Sequence, residues 1–312
     1  MAEPSRSFSL VADLHRRGNR EAKGDWTLYA EHRARLTALI TEAAGQSAAP
    51  AGPLCLLGAG NCNDVDLESL AATFAEIHLV DIDPAALARA RERLAPGVRE
   101  RVVLHGGIDL TGMLGHLDVW KGRAPDAATM AGAVDRGVAE ICRGLPVGRC
   151  RVAVSCCLMS QLGWSLETGL GEGQSGGAAT VELRLATIAV HLRTLAHLCH
   201  AQGMAVLAND IVSSELYPLD ELPPDVDLRD LADRLVSEQQ VVFAGANPLL
   251  IGRVLRRDPF LRTAFSQNTM ADPWIWHGRL ELAYLVYPQV LRRATDQAGV
   301  PERVFAPGVG GA

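Results

Sequence analysis

The sequence predicts an α/β fold in which helices cover both faces of a mostly parallel sheet, with a helical extension at the N-terminus. Between residues 54 and 207, short apolar runs typical of buried strands alternate with longer segments whose apolar residues recur at helical spacing. Strands that are separated by helices are joined by crossovers, and this arrangement favours a parallel sheet. Two apolar segments come later, at 274–276 and 280–287, and we expect them to close the sheet as a terminal hairpin.

The N-terminal extension, residues 1–48, is predicted to contain one clear helix, Trp26–Ala44. Residues that recur at helical spacing along this helix form one face, and such faces usually belong to a core, so we expect the helix to pack against the sheet. A linker of small residues and prolines, Gln46–Pro53, separates it from the first strand. The residues at helical spacing along the predicted helix are Trp26, Tyr29, Arg33, Leu36 and Ile40.

Residues 49–293 are predicted to form a single domain, and the glycine-rich tail 294–312 to be flexible. Asp83 is expected to cap a helix that begins with Pro84. The predicted strands are Leu54–Leu57, Ile77–Val80, Val102–Leu104, Val152–Val154 and Met204–Leu207. The predicted helices are Asp64–Phe74, with Asp64 as its N-cap, Ala85–Leu94, Asp126–Cys142, Ala178–Ala201, Leu228–Val242 and Leu249–Arg256.

Composition argues against several classes of partner. The formal net charge of -6 disfavours a broad nucleic-acid interface. No apolar run reaches the roughly 18 residues that a membrane helix needs. The seven cysteines contain no C-x-x-C pair, so we expect free thiols in a reducing cytoplasm and no bound metal. A cytoplasmic protein with a small-molecule partner is the resulting expectation.

The strongest motif is a glycine turn between the first strand and the helix that follows it. Gly58 and Gly60 allow a sharp bend and a close approach of a ligand to the backbone. The free N–H groups at a helix start favour an anionic group there. Asp81 ends the second strand about 20 residues further on, where a carboxylate can accept hydrogen bonds from ribose hydroxyls. Together these features predict a nucleoside site.

A second acid, Asp109, follows the third strand and has two interpretations. Its carboxylate would accept a hydrogen bond from an adenine amino group if the nucleoside extends in that direction. Aspartates also commonly cap turns. The sequence favours neither role over the other.

The segment from Leu54 to about Leu114 resembles the cofactor half of class I S-adenosylmethionine-dependent methyltransferases. The resemblance implies a Rossmann-like sheet of seven strands, the last one antiparallel, and S-adenosyl-L-methionine as cofactor. It also implies that the glycine turn approaches the methionine part of the cofactor, that Asp81 holds the ribose and that Asp109 lies near the adenine. The cofactor-binding residues expected from it are Gly58, Ala59, Gly60, Asn61, Asp81, Ile82, Asp109, Ser155 and Cys156.

This chain departs from the family pattern at several positions. Leu56 stands where the family often has an acid, and Cys62 where a third glycine is common. The Asn/Asp-Pro-Pro-aromatic signature of amino-group methylators is absent after the fourth strand, where Ser155-Cys156-Cys157-Leu158 stands. These departures leave the subfamily open.

Asp210 is the candidate for a catalytic base because it follows the fifth strand at the same sheet edge; the alternative is a turn cap. A cysteine at the end of the fourth strand is more often a core residue than a reactive group, so we expect Ser155 and Cys156 to contact cofactor without doing chemistry. The helical histidines lack metal-pair spacing and are expected to be structural. They are His191, His197 and His200.

Three segments have a structural and a functional interpretation. The face of Trp26, Tyr29 and Arg33 belongs to the core or forms a lid, with Gly18-Asn19-Arg20 beside it. The stretch Gly169–Gly177 is a mobile lid or a plain connection. The aromatic segment with Trp274, Trp276 and His277 packs as a hairpin or lines an acceptor pocket.

The leading prediction is a methyltransferase that acts on a small molecule. A nicotinamide dehydrogenase would use the same glycines and Asp81, but its third fingerprint glycine is replaced by Asn63. An aminopropyl transferase would need an acidic cluster for a polyamine, which the sequence does not show. A non-catalytic protein that retains the nucleotide fold is the remaining alternative. The acceptor and the oligomeric state are not predicted.

Overall fold

The computed structural model describes residues 5–121, 125–171, 178–238 and 242–295, and it confirms the α/β fold. A seven-stranded sheet has the order β3-β2-β1-β4-β5-β10-β7, and a second sheet has the order β6-β9-β8. Strands β1 to β5 of the large sheet pair in parallel, whereas β10 is antiparallel to both of its neighbours. The strands are β1 (Leu54–Leu57), β2 (Ile77–Asp81), β3 (Val102–Gly106), β4 (Cys150–Cys156), β5 (Cys199–Ala208), β6 (Asp210–Ser213), β7 (Phe265–Met270), β8 (Trp274–His277), β9 (Ala283–Val286) and β10 (Gln289–Arg293).

The prediction of which segments close the large sheet is wrong. The segments 274–276 and 280–287 contribute β8 and β9 to the second sheet, where β9 also pairs with β6. The large sheet is closed by β7 and β10 instead. Strand β7 is mostly exposed and polar, so it lacks the apolar alternation by which a strand is recognised.

Helices lie on both faces of the large sheet, as predicted. Most of the predicted helices between residues 84 and 257 are present, with ends that shift by a few residues. Part of the glycine-rich stretch 169–177 and most of the tail 294–312 lie outside the described residues. The helices are α1 (Arg6–Glu21), α2 (Ala30–Gln46), α3 (Leu67–Leu70), α4 (Pro84–Glu92), α5 (Pro96–Arg99), α6 (Leu114–Trp120), α7 (Ala127–Cys142), α8 (Met159–Leu170), α9 (Ala178–Leu198), α10 (Leu228–Glu238), α11 (Pro248–Arg257) and α12 (Leu261–Ala264).

Two predictions near the N-terminus need correction. The helix predicted at Trp26–Ala44 begins only at Ala30, because residues 25–29 form turns. Trp26 is 38% exposed with the Arg33 guanidinium 3.6 Å from the centre of its ring, so this part of the face does not pack in the core. Leu36 and Ile40 are fully buried, as expected of a core face.

The helix predicted at Asp64–Phe74 is also wrong in its bounds. Helix α3 has a single turn, and its N-cap is Asp66 rather than Asp64. The Asp66 carboxylate accepts hydrogen bonds from the backbone N–H groups of Glu68 and Ser69, which is the interaction that an N-cap supplies. Two aspartates two residues apart offer the same local signal, and the choice between them depends on tertiary contacts.

The core has a layer on each face of the large sheet. One layer joins the sheet to α1, α6, α7, α8, α9 and α11, and the other joins it to α2, α3 and α4. A smaller apolar cluster packs α10 against the second sheet. In the large sheet the carboxyl ends of β1, β2, β4 and β5 lie along one edge, and α1 crosses that edge between α4, α6 and α8. In sheets of this kind that edge carries the ligand crevice.

Candidate functional site

The turn after β1 needs the two glycines that the sequence singles out. Gly58 has φ +72° and Gly60 has φ +49°, values that side chains disfavour. The backbone N–H groups of Gly58 and Ala59 donate to the carbonyl oxygen of Val80 over 2.9 and 3.1 Å. A Cβ atom on Gly58 would lie 2.9 Å from a methyl carbon of Leu158. The turn is therefore fixed to β2 and closely covered by the segment after β4.

Asp81 is tied directly to this turn. Its carboxylate accepts hydrogen bonds from the backbone N–H of Gly60 (2.9 Å) and from that of Asp83 (2.8 Å). Burial raises the pKa of Asp81 to about 6, and these N–H groups oppose the rise, so the group is mostly ionised at neutral pH. A carboxylate has roughly four lone-pair directions, so Asp81 can still accept ribose hydroxyls.

A small cavity of about 40 Å³ lies beside Asp81. Four residues that the sequence predicts to bind cofactor line it, and α1 covers it with Val11 and His15. This volume holds little more than a water molecule, so the cavity in this state is too small for a nucleoside. The four residues are Gly58, Asp81, Ile82 and Asp109.

Asp109 acts as a turn cap in this structure. Its carboxylate accepts from the backbone N–H and hydroxyl of Thr111 at 2.9 and 2.6 Å, and from the backbone N–H of Leu114 at 2.9 Å. Burial raises its pKa, and these donors oppose the rise. The capping role is thus present. The adenine role stays a prediction, and Asp109 is among the residues that line the small cavity.

Helix α1 is fastened over the glycine turn by Asn19. Its side-chain Nδ2 donates to Asp83 over 3.2 Å, and its backbone carbonyl accepts from Asn61 over 2.7 Å. The Asn19 Oδ1 atom lies 3.1 Å from where a Cβ atom on Gly60 would stand. Near the other end of α1, the Ser7 hydroxyl donates to the Asp118 carboxylate over 2.6 Å. The helix is therefore a cover held at both ends by polar contacts.

A larger cavity of about 610 Å³ adjoins the small one. His15 and Gln161 line both cavities, so they mark the junction between them. The remaining wall comes from α1, α8, α9, the start of β6 and the second sheet. It includes Asn19, Ser160, Trp164, Glu167, Arg184, Asp210 and Tyr284.

Asp210 lies in the wall of the large cavity. The sequence predicted a position at the sheet edge for this residue because it follows the fifth strand. The Ser160 hydroxyl is 2.9 and 2.8 Å from its two carboxylate oxygens. Burial raises the pKa of Asp210 to about 7, the Ser160 hydrogen bond lowers it, and the negative charge of Asp64 raises it. A carboxylate with a pKa near neutrality is well suited to take a proton from a substrate.

His15 lies at the junction of the two cavities. Its Nε2 atom is 2.9 Å from the Ser165 hydroxyl, and the Trp164 ring meets its imidazole edge-on at 5.6 Å. Burial lowers the pKa of His15, and the charge of Asp83 opposes this. The imidazole is therefore neutral at pH 7 and can accept or share a hydrogen bond with a ligand there.

The other predicted cofactor residues lie behind the cavity walls. Ala59, Asn61 and Cys156 are buried, and Asn61 also accepts a hydrogen bond from Arg89 over 3.1 Å. The Ser155 hydroxyl lies 2.9 Å from Nε2 of His191, whose pKa burial lowers to about 3. These residues support the turn and β4, and the structure does not bring them to either cavity.

An aromatic cluster connects the second sheet to α2. The Trp274 Nε1–H donates to Nδ1 of His32 over 3.0 Å, and the His32 imidazole stacks on Trp276 at 4.5 Å. Trp276 in turn meets the rings of Tyr29 and Tyr284 at 5.1 and 5.0 Å. Trp274 and Trp276 therefore pack as the structural interpretation expects, while Tyr284 at the end of the cluster reaches the large cavity.

Sequence reasoning missed several residues of this site. Helix α1 was not predicted because its only buried residues are Ser7, Val11 and Ala12, which leave a weak apolar pattern. Because α1 was not predicted, nothing in the sequence indicated that His15 lies near the site. Ser160 and Gln161 come shortly after the fourth-strand motif, and Glu167 lies in the same helix, so their closeness in sequence to that motif was the available signal.

Comparison with known proteins gives structural neighbours only. No protein-family model matches the sequence, and no curated protein matches it. The solved structures it resembles include a protein of Methanococcus maripaludis assigned as an S-adenosyl-L-methionine-dependent methyltransferase (12% identity, 96% of this chain and 100% of that one, TM-score 0.41). They also include YcgJ of Bacillus subtilis (10%, 83% and 98%, 0.41) and a predicted O-methyltransferase of Agrobacterium tumefaciens (14%, 81% and 80%, 0.36).

These likenesses are too distant to transfer an activity. The sheet topology itself has the features that the sequence resemblance implies, namely seven strands with the last one antiparallel. The chain thus has the Rossmann-like fold of the class I methyltransferases. Within the described residues, no helix has both the length and the apolar character to span a bilayer, and no set of three or more potential ligands is grouped around a metal position.

Proposed function

We propose that this protein is an S-adenosylmethionine-dependent methyltransferase with a small-molecule acceptor. The observation that carries the proposal is the junction between two cavities of different chemistry. One is bordered by the glycine turn and Asp81, the other by Asp210, and both share His15 and Gln161. Such a junction is where a donor and an acceptor would meet.

The residues beside the small cavity fit the cofactor chemically. Gly58, with its positive φ, allows the tight turn that borders the cavity, Asp81 offers an ionised acceptor to the ribose, and Ile82 offers an apolar surface. When bound, S-adenosylmethionine supplies a methyl group on a sulfonium sulfur that keeps the carbon–sulfur electron pair as the methyl leaves. The protein's own contribution is to orient the acceptor and to take its proton.

Helix α1 acts in this proposal as a cover, and residues 49–293 as the catalytic domain. Because α1 closes the small cavity, ligand binding requires this helix to move away and then return. Ser7 and Asn19 hold the two ends of α1 by polar contacts, while Val11 and Ala12 pack it into the core, so opening must break both kinds of contact. A closed cover would then exclude water from the junction.

Within the large cavity, Asp210 takes the acceptor's proton and Ser160 holds its carboxylate in place. His15 and Gln161 border the position at which the methyl group is transferred. The cavity volume of about 610 Å³ suits a metabolite-sized acceptor better than a polymer. The net charge of -6 likewise favours an acceptor other than nucleic acid.

Calorimetric titration of the purified protein with S-adenosylmethionine, S-adenosylhomocysteine and NAD tests the proposal. We expect both adenosyl compounds to bind and NAD not to bind. Binding of NAD alone would overturn the methyltransferase assignment in favour of a dehydrogenase. Tight binding of S-adenosylhomocysteine with no turnover across an acceptor library would favour a non-catalytic role.

A further inference from the structure

The charges that border the large cavity do not balance. Arg184 and Glu167 form an ion pair with each other, so their opposite charges offset one another in the cavity wall. The pKa of His15 is lowered by burial, so its imidazole is neutral. Asp210 is left as the uncompensated charge: it is only 7% exposed, and no described Arg, Lys or His side chain forms an ion pair with it.

A second carboxylate adds to the negative potential behind Asp210. When it is ionised, Asp64 acts on Asp210 electrostatically; the positive charge of Arg33 partly offsets the charge of Asp64, and Nε2 of His32 lies 3.8 Å from it. Burial lowers the pKa of His32 to about 3, so this imidazole does not neutralise Asp64. Burying a carboxylate such as Asp210 without an ion-pair partner is costly, and a cation bound beside it would reduce that cost.

The wall next to Asp210 is aromatic. Tyr284 borders the cavity, and the charge of Asp210 contributes, after burial, to raising the pKa of its phenol. The Tyr284 ring also lies against Trp276, with 5.0 Å between the ring centres. An aromatic face beside an ionised carboxylate attracts organic cations through both charge and the ring quadrupole.

We propose that the acceptor of this enzyme is an amine that enters the large cavity as an ammonium ion, with Asp210 as its counter-ion and Tyr284 against its substituents. The proposal rests on the methyltransferase function and narrows it to transfer to nitrogen. The bound ammonium gives one proton to a carboxylate oxygen of Asp210, which frees the nitrogen lone pair for the methyl carbon. The Ser160 hydroxyl, 2.9 and 2.8 Å from the two carboxylate oxygens, restrains the rotation of that carboxylate.

The test compares three probes of similar size and different charge: 2-phenylethylamine, 2-phenylethanol and 3-phenylpropanoate. Their affinities are measured by calorimetry with the wild-type protein, with and without saturating S-adenosylhomocysteine. A charged hydrogen bond is worth roughly 1.5–3 kcal/mol, so we expect the amine to bind about 10-fold or more tightly than the alcohol, and the carboxylate to bind weakest. Equal affinities for amine and alcohol, or no binding of the amine, would overturn the proposal.

Asp210→Asn provides the second arm, because the amide keeps an acceptor for Ser160 but removes the charge. We expect it to abolish the preference for the amine while leaving S-adenosylhomocysteine affinity unchanged. Asp230→Asn, on the exposed side of α10, is the matched control and should retain the preference. A preference that survives in Asp210→Asn would refute the role of Asp210. Failure of S-adenosylhomocysteine to bind would count against the methyltransferase function alone, since the probes are also measured without it.

Discussion

The backbone N–H of Gly60 donates a hydrogen bond to the Oδ2 atom of Asp81 over 2.9 Å. The residue proposed to hold the ribose therefore also fixes the turn that approaches the rest of the cofactor. With Asp83 bound to the other carboxylate oxygen, a single side chain organises both the glycine turn and the start of α4. Loss of this carboxylate should consequently affect binding and stability together.

Substitution of Asp81 separates those two effects. We expect Asp81→Ala to weaken S-adenosylhomocysteine binding by several kcal/mol at most, the scale of charged hydrogen bonds, and to lower the unfolding temperature. Asp81→Asn keeps one acceptor for a backbone N–H and should lose less stability than affinity. Calorimetry and thermal unfolding measure the two quantities. Unchanged affinity in a folded Asp81→Ala variant would show that the ribose is held elsewhere.

Local sequence patterns predicted those elements of the fold that depend on neighbouring residues alone, such as buried strands and helix caps. Strand β1 has the predicted bounds, and Asp83 caps α4 with Pro84 at its first position. Strands β7 and β10 were not predicted because β7 is polar and exposed, and its pairing with β10 follows only from the three-dimensional arrangement. The more apolar segments at 274–276 and 280–287 gave the stronger local signal and were assigned to the wrong sheet.

The candidate site shows the same limit. Gly58, Asp81 and Asp210 could be identified because each follows a buried strand in a mostly parallel sheet. His15 could not, since its place at the junction depends on a helix with few apolar residues that crosses the sheet edge from outside. The burial of Cys156 behind the cavity wall likewise depends on packing that strand position does not determine.

The cover formed by α1 should control how fast the cofactor binds and leaves. Asn19→Ala removes the side-chain contact with Asp83 and the oxygen above Gly60. We expect both the association and the dissociation rates of S-adenosylhomocysteine to rise severalfold in stopped-flow measurements, because the open form becomes more populated. The control is Arg16→Ala, which breaks only a surface pair with Asp13 on the same helix. Rates that stay at the wild-type values in Asn19→Ala would exclude α1 as the gate.

The rate of methyl transfer should depend on pH through Asp210. A base must be ionised, and burial raises the pKa of Asp210 to about 7, so kcat/KM should rise about 10-fold per pH unit below 7 and level off above it. The Ser160 hydroxyl lowers that pKa by its hydrogen bond. Ser160→Ala should therefore move the inflection to higher pH, whereas Ser237→Ala, at an exposed position of α10, should not. An inflection that is insensitive to Ser160 would assign the titration to another group.

The carboxylate of Asp64 should make the protein less stable as the pH rises. Burial raises its pKa from the usual 3.8 to about 7, with Arg33 opposing the rise, so the folded protein holds a proton that the unfolded chain releases near pH 4. The free energy of unfolding therefore falls between about pH 4 and pH 7 and stays reduced above that range. Asp64→Asn removes this loss and should raise the free energy of unfolding by about 1–3 kcal/mol at pH 8 but little at pH 4.

The side-chain amide of the Asp64→Asn variant can also form a hydrogen bond with His32, so the test must separate this effect from the loss of charge. His32 accepts from Trp274 at Nδ1, so its Nε2 carries the hydrogen, and this atom has no hydrogen-bond partner although it lies 3.8 Å from Asp64. An asparagine oxygen can accept that hydrogen without bringing in a charge. Urea unfolding of Asp64→Asn and of the exposed control Asp230→Asn at pH 4 and pH 8 measures the difference. A gain that is equal at both pH values would mean that the improved hydrogen bond, rather than the removed charge, stabilises the variant.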